Sequence, residues 1–358
     1  MSQLSFGSQL TLKQFSDAIV AVGKEVTIIG QGEMGIGKSS VLKEIAKQLP
    51  SYNTAYIDCT LLDLGDFALP YTQQEDTMKV TKFAPNARFM MHKDKPVIVM
   101  LDEIGKAMKS VKNVLLTLML EHRIGDHYLP EGSIVFGTTN LMSEGVGDLM
   151  EAHARNRVCF VTVGKPDADT WINNFAIPHE LEPTVIAWVK QFPHCLASFT
   201  DGAQRDNPYI FSPTRAGQSA FVTPRSLEKA SRVSASRGVL GEEVTISMLT
   251  GIIGESAARD MQAFFTVADK LPTWEVIIKA PETTKLPEDT VARCILVFSA
   301  LSRVEKDTLS KFMVYLQRFP MEWQAMFAKS LVSSSAKQSI AYTNGDFKNW
   351  AIKNNWVF

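Results

Sequence analysis

The sequence predicts an α/β fold: a parallel sheet flanked by helices over residues 1–165, followed by an all-α region. Three observations carry this expectation. Apolar runs of strand length alternate with stretches of helical period through the first half of the chain. One run, Val97-Ile-Val-Met-Leu101, is apolar at every position, as in a central strand covered on both faces. After Lys165-Pro166 such runs become rare and helical patterns dominate.

Residues 11–22 read as a short helix, and Val26 to Ile29 as a buried strand ending at Gly30. A glycine-rich turn follows. From Ser39 to Leu49 the apolar residues Val41, Leu42, Ile45, Ala46 and Leu49 recur at helical spacing. Ala55 to Cys59 suggest a second strand. Residues 61–92 are mixed and contain Pro70 and Pro85, which suits a hairpin or an irregular insert. A helix is expected over Lys109–Glu121, burying Val111, Val114, Leu115, Leu118 and Met119. Strands are expected at Ile134–Thr138 and Val158–Val163.

In the second half, Gly202, Pro208, Pro213 and Pro224 punctuate residues 199–224 as a long loop. Helices are expected at 183–191, 225–236, 245–266, 288–302, 305–318 and 321–333. Pro281 and Pro287 bound a break, which divides the region into a helical lid (166–280) and a C-terminal helical extension (281–358).

The chain has 358 residues, 45% of them hydrophobic and 21% charged, which is ordinary for globular domains. Its formal net charge of −1 lacks the basic excess of a dedicated nucleic-acid binder. Cys59, Cys159, Cys195 and Cys294 are widely spaced, which argues against a zinc ribbon or a disulfide framework and for a reducing compartment. His179-Glu180 has no second histidine at metalloprotease spacing. The first ten residues hold no basic segment followed by an apolar stretch, and no apolar run reaches the ~20 residues of a membrane span. A cytoplasmic protein is expected, in a bacterium or in the host cytoplasm if phage-encoded.

The strongest chemical signal is Gly32-Glu33-Met34-Gly35-Ile36-Gly37-Lys38-Ser39, matching G-x-x-x-x-G-K-[ST] between a strand and a helix; Ser40 follows. Backbone N–H groups of such a loop converge on phosphate oxygens, and the glycines let the backbone approach. The following helix adds its partly positive end. Lys38 would reach the β- and γ-phosphates, and the Ser39 hydroxyl would ligate Mg²⁺. Asp102 and Glu103 end the Val97–Leu101 run, at the sheet edge where open α/β sheets bind ligands. Asp102 can hold the metal through water, and Glu103 can orient or deprotonate an attacking water. Asn140 ends the neighbouring run and could hold the same water, although asparagine there is also a common turn residue. Arg155 and Arg157 precede a strand; either could serve as an arginine finger, or both could belong to a solvated basic turn. Arg225, in Thr223-Pro224-Arg225, sits at an expected helix start, as a nucleotide contact or a surface residue.

In this order the motifs resemble the AAA+ superfamily of P-loop NTPases, and most closely its MoxR-like branch, a helix-2-insert clade. The likeness covers residues 12–270. It implies a Walker A loop at Gly32–Ser39, Walker B acids Asp102 and Glu103, and sensor 1 at Asn140. The Asn-Arg-Phe finger element of the family resembles Asn156-Arg157-Val158, favouring Arg157 over Arg155; valine stands where phenylalanine is usual. The Pro-Arg sensor-2 element resembles Pro224-Arg225. Glu121–Gly132 resembles the hairpin before sensor 1, and residues 65–92 would hold the insert. The resemblance implies an ATP- and Mg²⁺-dependent ATPase acting as a chaperone-like remodeller, commonly a hexameric ring, with a von Willebrand factor A-domain protein as partner.

The main rival is a DNA-replication or helicase-loading ATPase with the same core. Lys348 and Lys353 with Trp350 and Trp356 could stack on single-stranded bases, or the tryptophans could be core anchors. A regulatory module with little turnover would not need Glu103 and the arginines, and a GTPase would need an Asn-Lys-x-Asp run that is missing.

Overall fold

A computed structural model describes residues 9–141, 156–215, 217–334 and 337–358. The chain divides into two compact units, Met1–Lys165 and Pro166–Phe358.

The first unit is built on five parallel strands: β1 (Ile28–Gln31), β2 (Asn53–Asp58), β5 (Val97–Asp102), β8 (Ile134–Thr139) and β9 (Cys159–Thr162), in the order β2-β5-β8-β1-β9. The long β3 (Ala68–Glu75) and β4 (Met78–Pro85) form an antiparallel hairpin, and β6 (Arg123–Ile124) and β7 (His127–Tyr128) a small one. The mixed segment 61–92 thus holds the expected hairpin. His127 Nε2 lies 2.6 Å from the Phe83 carbonyl, tying the two hairpins together.

The sheet is covered on both faces, as the unbroken apolar run of β5 requires. Val97, Val99 and Leu101 face one core with Leu115 and Leu118 of α3 (Lys109–Glu121). Ile98 and Met100 face the other, with Phe15 and Ile19 of α1 (Leu12–Val22) and Val41 and Ile45 of α2 (Val41–Gln48). Side chains alternate along a strand, so Asp102 projects to the α2 face with Ile98 and Met100. Thr11 caps α1 through a reciprocal box with Gln14.

Two local expectations need correction. The first strand begins at Ile28, not Val26: the Val26 N–H donates to the Val22 carbonyl, which spends that backbone group on the turn after α1. The helix after the glycine-rich loop opens with a 3₁₀ turn, Lys38–Ser40, before α2.

The second unit is helical, with helices that include Pro183–Gln191, Pro224–Ala235, Thr290–Arg303, Leu309–Leu316 and Met321–Ser333. Its hydrophobic core runs from Ala168 through Phe265 and on through Cys294 to Val357. The single helix expected over 245–266 is two, Glu242–Ile253 and Glu255–Ala268. Gly254 separates them with φ +86°, and a Cβ there would lie 2.9 Å from the Ala220 carbonyl oxygen. Helices Gln338–Thr343 and Gly345–Lys353 were not anticipated. Among the described residues no helix is long and apolar enough to cross a membrane.

Candidate functional site

The site follows from the strand order. β8 lies between β5 and β1, with Gln31 opposite Thr139 and Leu101 opposite Gly137. The segments leaving the carboxyl ends of these three strands are Gly32–Gly37, Glu103 and Asn140, so the sheet gathers the three motifs at one edge.

The loop is held tightly. Gly35 and Gly37 have φ +74° and +107°, a left-handed backbone that suits glycine. Gly32 packs so closely that a Cβ would lie 2.5 Å from the Val163 carbonyl oxygen. Ile36 is buried in the core beside α1 and α2. Glu33 is buried, its carboxylate 3.9 Å from Lys165 Nζ. The Ser40 hydroxyl turns back to the Gly37 carbonyl at 2.7 Å.

Lys38 is only 5% exposed, and its ammonium donates to the carbonyls of Gly32 (2.7 Å) and Glu33 (2.8 Å) and to Asn140 Oδ1 (2.8 Å). It thus joins the loop to the end of β8. Ser39 joins it to β5: the Ser39 hydroxyl donates to Asp102 Oδ2 at 2.7 Å. The same oxygen accepts from Tyr56 Oη at 2.8 Å. Asp102 Oδ1 accepts from the Thr138 hydroxyl and from the Glu103 N–H at 3.1 Å. The buried carboxylate therefore has four donors, filling the roughly four acceptor positions of an ionised carboxyl.

Glu103 adopts a left-handed backbone, φ +56°, at the start of the turn Ile104–Lys106, uncommon for a non-glycine residue. Its carboxylate lies 3.1 Å from Lys106 Nζ. Cys59 is buried near these acids; burial first, then the charges of Asp102, Asp58 and Glu103, push its thiol well above the ordinary range.

Lys38, Ser39, Asp102, Glu103 and Asn140 are therefore brought together as expected from sequence. Arg157 lies in an exposed turn before β9. Arg155 falls outside the described residues. Arg225 is exposed in the first turn of the helix Pro224–Ala235, in the second unit. Tyr56 and Thr138 were missed. Tyr56 stands two residues before Asp58 on β2, and only the β2–β5 register, Asp58 opposite Asp102, places it beside the acid. Trp350, considered for base stacking, is buried and donates to Gln324 Oε1 at 2.8 Å; it is a core anchor, while Trp356 is exposed.

The oxygen donors fit a small hard cation. A hydroxyl and a carboxylate meet at one point, and no group of three or more histidine, cysteine or acidic side chains among the described residues forms a metal cage. Magnesium is usually held this way, by one or two carboxylates, with substrate phosphates and water completing its shell.

Residues 28–161 match the model of the ATPase family associated with various cellular activities (AAA). The chain carries an AAA ATPase domain. The matched span holds the glycine-rich loop, both acids and Asn140. Among solved structures, the RuvB Holliday junction branch migration motor of Thermotoga maritima is 17% identical, covering 88% of this chain and 89% of its own, with a TM-score of 0.36. NtrX from Brucella abortus in complex with ADP is 12% identical, covering 97% and 67%, with a TM-score of 0.33. No curated protein sequence matches the chain.

Proposed function

We propose that this chain is a Mg²⁺-dependent ATPase of the MoxR-like, helix-2-insert type, working as a hexameric ring in the cytoplasm to remodel or activate a partner protein. The observation that carries the catalytic part is the Asp102 carboxylate: the phosphate loop meets β5 there through Ser39, while Lys38 meets β8 through Asn140.

Lys38 would exchange its carbonyl partners for phosphate oxygens, which carry full negative charge and bind an ammonium more strongly. The loop N–H groups would hold the remaining oxygens. Magnesium bound by Ser39 and Asp102 would supply positive charge to the phosphates. Glu103 would take a proton from the attacking water, and Asn140 would orient that water once Lys38 has turned away. Arg157, exposed on its turn, is the better finger for a neighbouring subunit, with Arg155 second. Arg225 would report nucleotide state from the lid, residues 166–280.

A protein client suits the hairpin β3–β4, which exposes Leu69, Tyr71, Met78 and Phe83. A von Willebrand factor A-domain protein is the proposed partner, on the family resemblance alone. The nucleic-acid alternative loses one of its two stacking residues with Trp350 buried, while Trp356 stays exposed.

The test is Glu103→Gln. It should bind ATP with wild-type affinity and lose turnover by about a hundredfold or more. Normal hydrolysis by this variant would remove Glu103 from the mechanism. Mixing Arg157→Ala with Lys38→Ala should restore part of the activity that each lacks alone. Absence of rescue at every ratio would contradict a site shared between subunits.

A further inference from the structure

Tyr56 makes a contact that the phosphate-loop and acidic motifs do not account for. The residue is 51% exposed, yet its hydroxyl donates to Asp102 Oδ2 at 2.8 Å. The four donors on Asp102 differ in how firmly they are held. Thr138 is fully buried, and the Glu103 N–H is fixed by the chain itself. The Ser39 hydroxyl can ligate a cation through its lone pairs while still donating its proton to Asp102. Tyr56 alone combines a half-exposed side chain with a bond whose loss water can compensate.

A divalent cation that keeps its water shell reaches a carboxylate through those waters, each of which must donate to a carboxylate oxygen. All the acceptor positions of Asp102 are occupied. We infer that Tyr56 is a placeholder: its hydroxyl takes the position on Asp102 that a metal-bound water claims, and it swings out when Mg²⁺ enters with nucleotide. Tyr56 is thus a positioning residue acting through Asp102, keeping the acid in place and satisfied while the site lacks metal. This inference rests on the proposed Mg²⁺-dependent nucleotide site and adds a tuning element to it.

The experiment compares full-length wild type with Tyr56→Phe, which keeps the ring and removes only the hydroxyl. Protein saturated with ADP is titrated with Mg²⁺ by calorimetry. The Mg²⁺ dissociation constant should fall about threefold to tenfold in Tyr56→Phe, the range expected for one hydrogen bond that no longer has to be displaced. ADP affinity without Mg²⁺ should not change. The thermal midpoint of the variant should drop in the nucleotide-free state and match wild type with MgADP bound. Unchanged or weaker Mg²⁺ binding in the variant, against a wild type that does couple Mg²⁺ to ADP, overturns the placeholder and leaves the ATPase reading standing. If wild-type ADP binding ignores Mg²⁺ altogether, both readings fall.

Discussion

Thr138→Val tests the Asp102 network through a residue that no sequence motif singles out. Valine keeps the β-branched shape near the carboxyl end of β8 and removes only the hydroxyl. Thr138 is fully buried and Asp102 is 5% exposed, so water cannot readily replace the lost donor. A hydrogen bond to a charged group contributes about 1.5–3 kcal/mol. For a unit of this size that converts to about 2–4 °C of melting temperature per kcal/mol, a fall of about 3–12 °C. All six tryptophans lie beyond residue 165. Tryptophan emission therefore follows the second unit, whereas far-UV circular dichroism follows both, and the component of the melt seen only by circular dichroism reports the first unit. Thr138→Ser, which retains the hydroxyl, should recover most of the loss. A Thr138→Val midpoint within about 1 °C of wild type would refute the reasoning, because a buried carboxylate cannot lose a donor at so small a cost.

Gly32→Ala should destabilise the first unit by about 1–3 kcal/mol in thermal melts, since the Val163 carbonyl oxygen, 2.5 Å from the new Cβ, belongs to backbone and cannot swing aside; an unchanged midpoint would contradict this packing. His122, the left-handed C-cap of α3, has its pKa lowered by burial from 6.5, so the unfolded chain binds the proton more readily. Its stabilising contribution is fully present above pH 6.5 and is lost as pH falls toward the depressed folded value. His122→Asn, which tolerates the φ of +52°, should flatten that part of the stability–pH curve, and an equally steep curve in the variant would assign the dependence elsewhere.

Much of this fold was legible because burial on both faces writes itself into the sequence. The apolar run at Val97–Leu101 is typical of a covered strand, and the 3.6-residue spacing marks the helix observed at Lys109–Glu121. What failed depended on backbone bonding. Val26 is apolar and adjoins a strand, yet its N–H serves a turn; Gly254 ends a helix through a conformation that periodicity does not register. The site divides the same way. Lys38, Ser39 and Asp102 belong to motifs whose spacing encodes their chemistry. Tyr56 and Thr138 reach Asp102 through strand order and register, which are properties of the sheet and not of any one segment. Trp350 suited a core anchor better than base stacking on sequence, and its burial with a hydrogen bond to Gln324 decides for the anchor.

The most direct test of the central claim is Mg²⁺-dependent phosphate release from ATP by the purified full chain, measured beside Asp102→Asn. The account predicts steady turnover in wild type that disappears on chelating Mg²⁺, and a loss of about a hundredfold or more in Asp102→Asn. Release by the variant at the wild-type rate, or none by wild type at any concentration of protein or ATP, would contradict it.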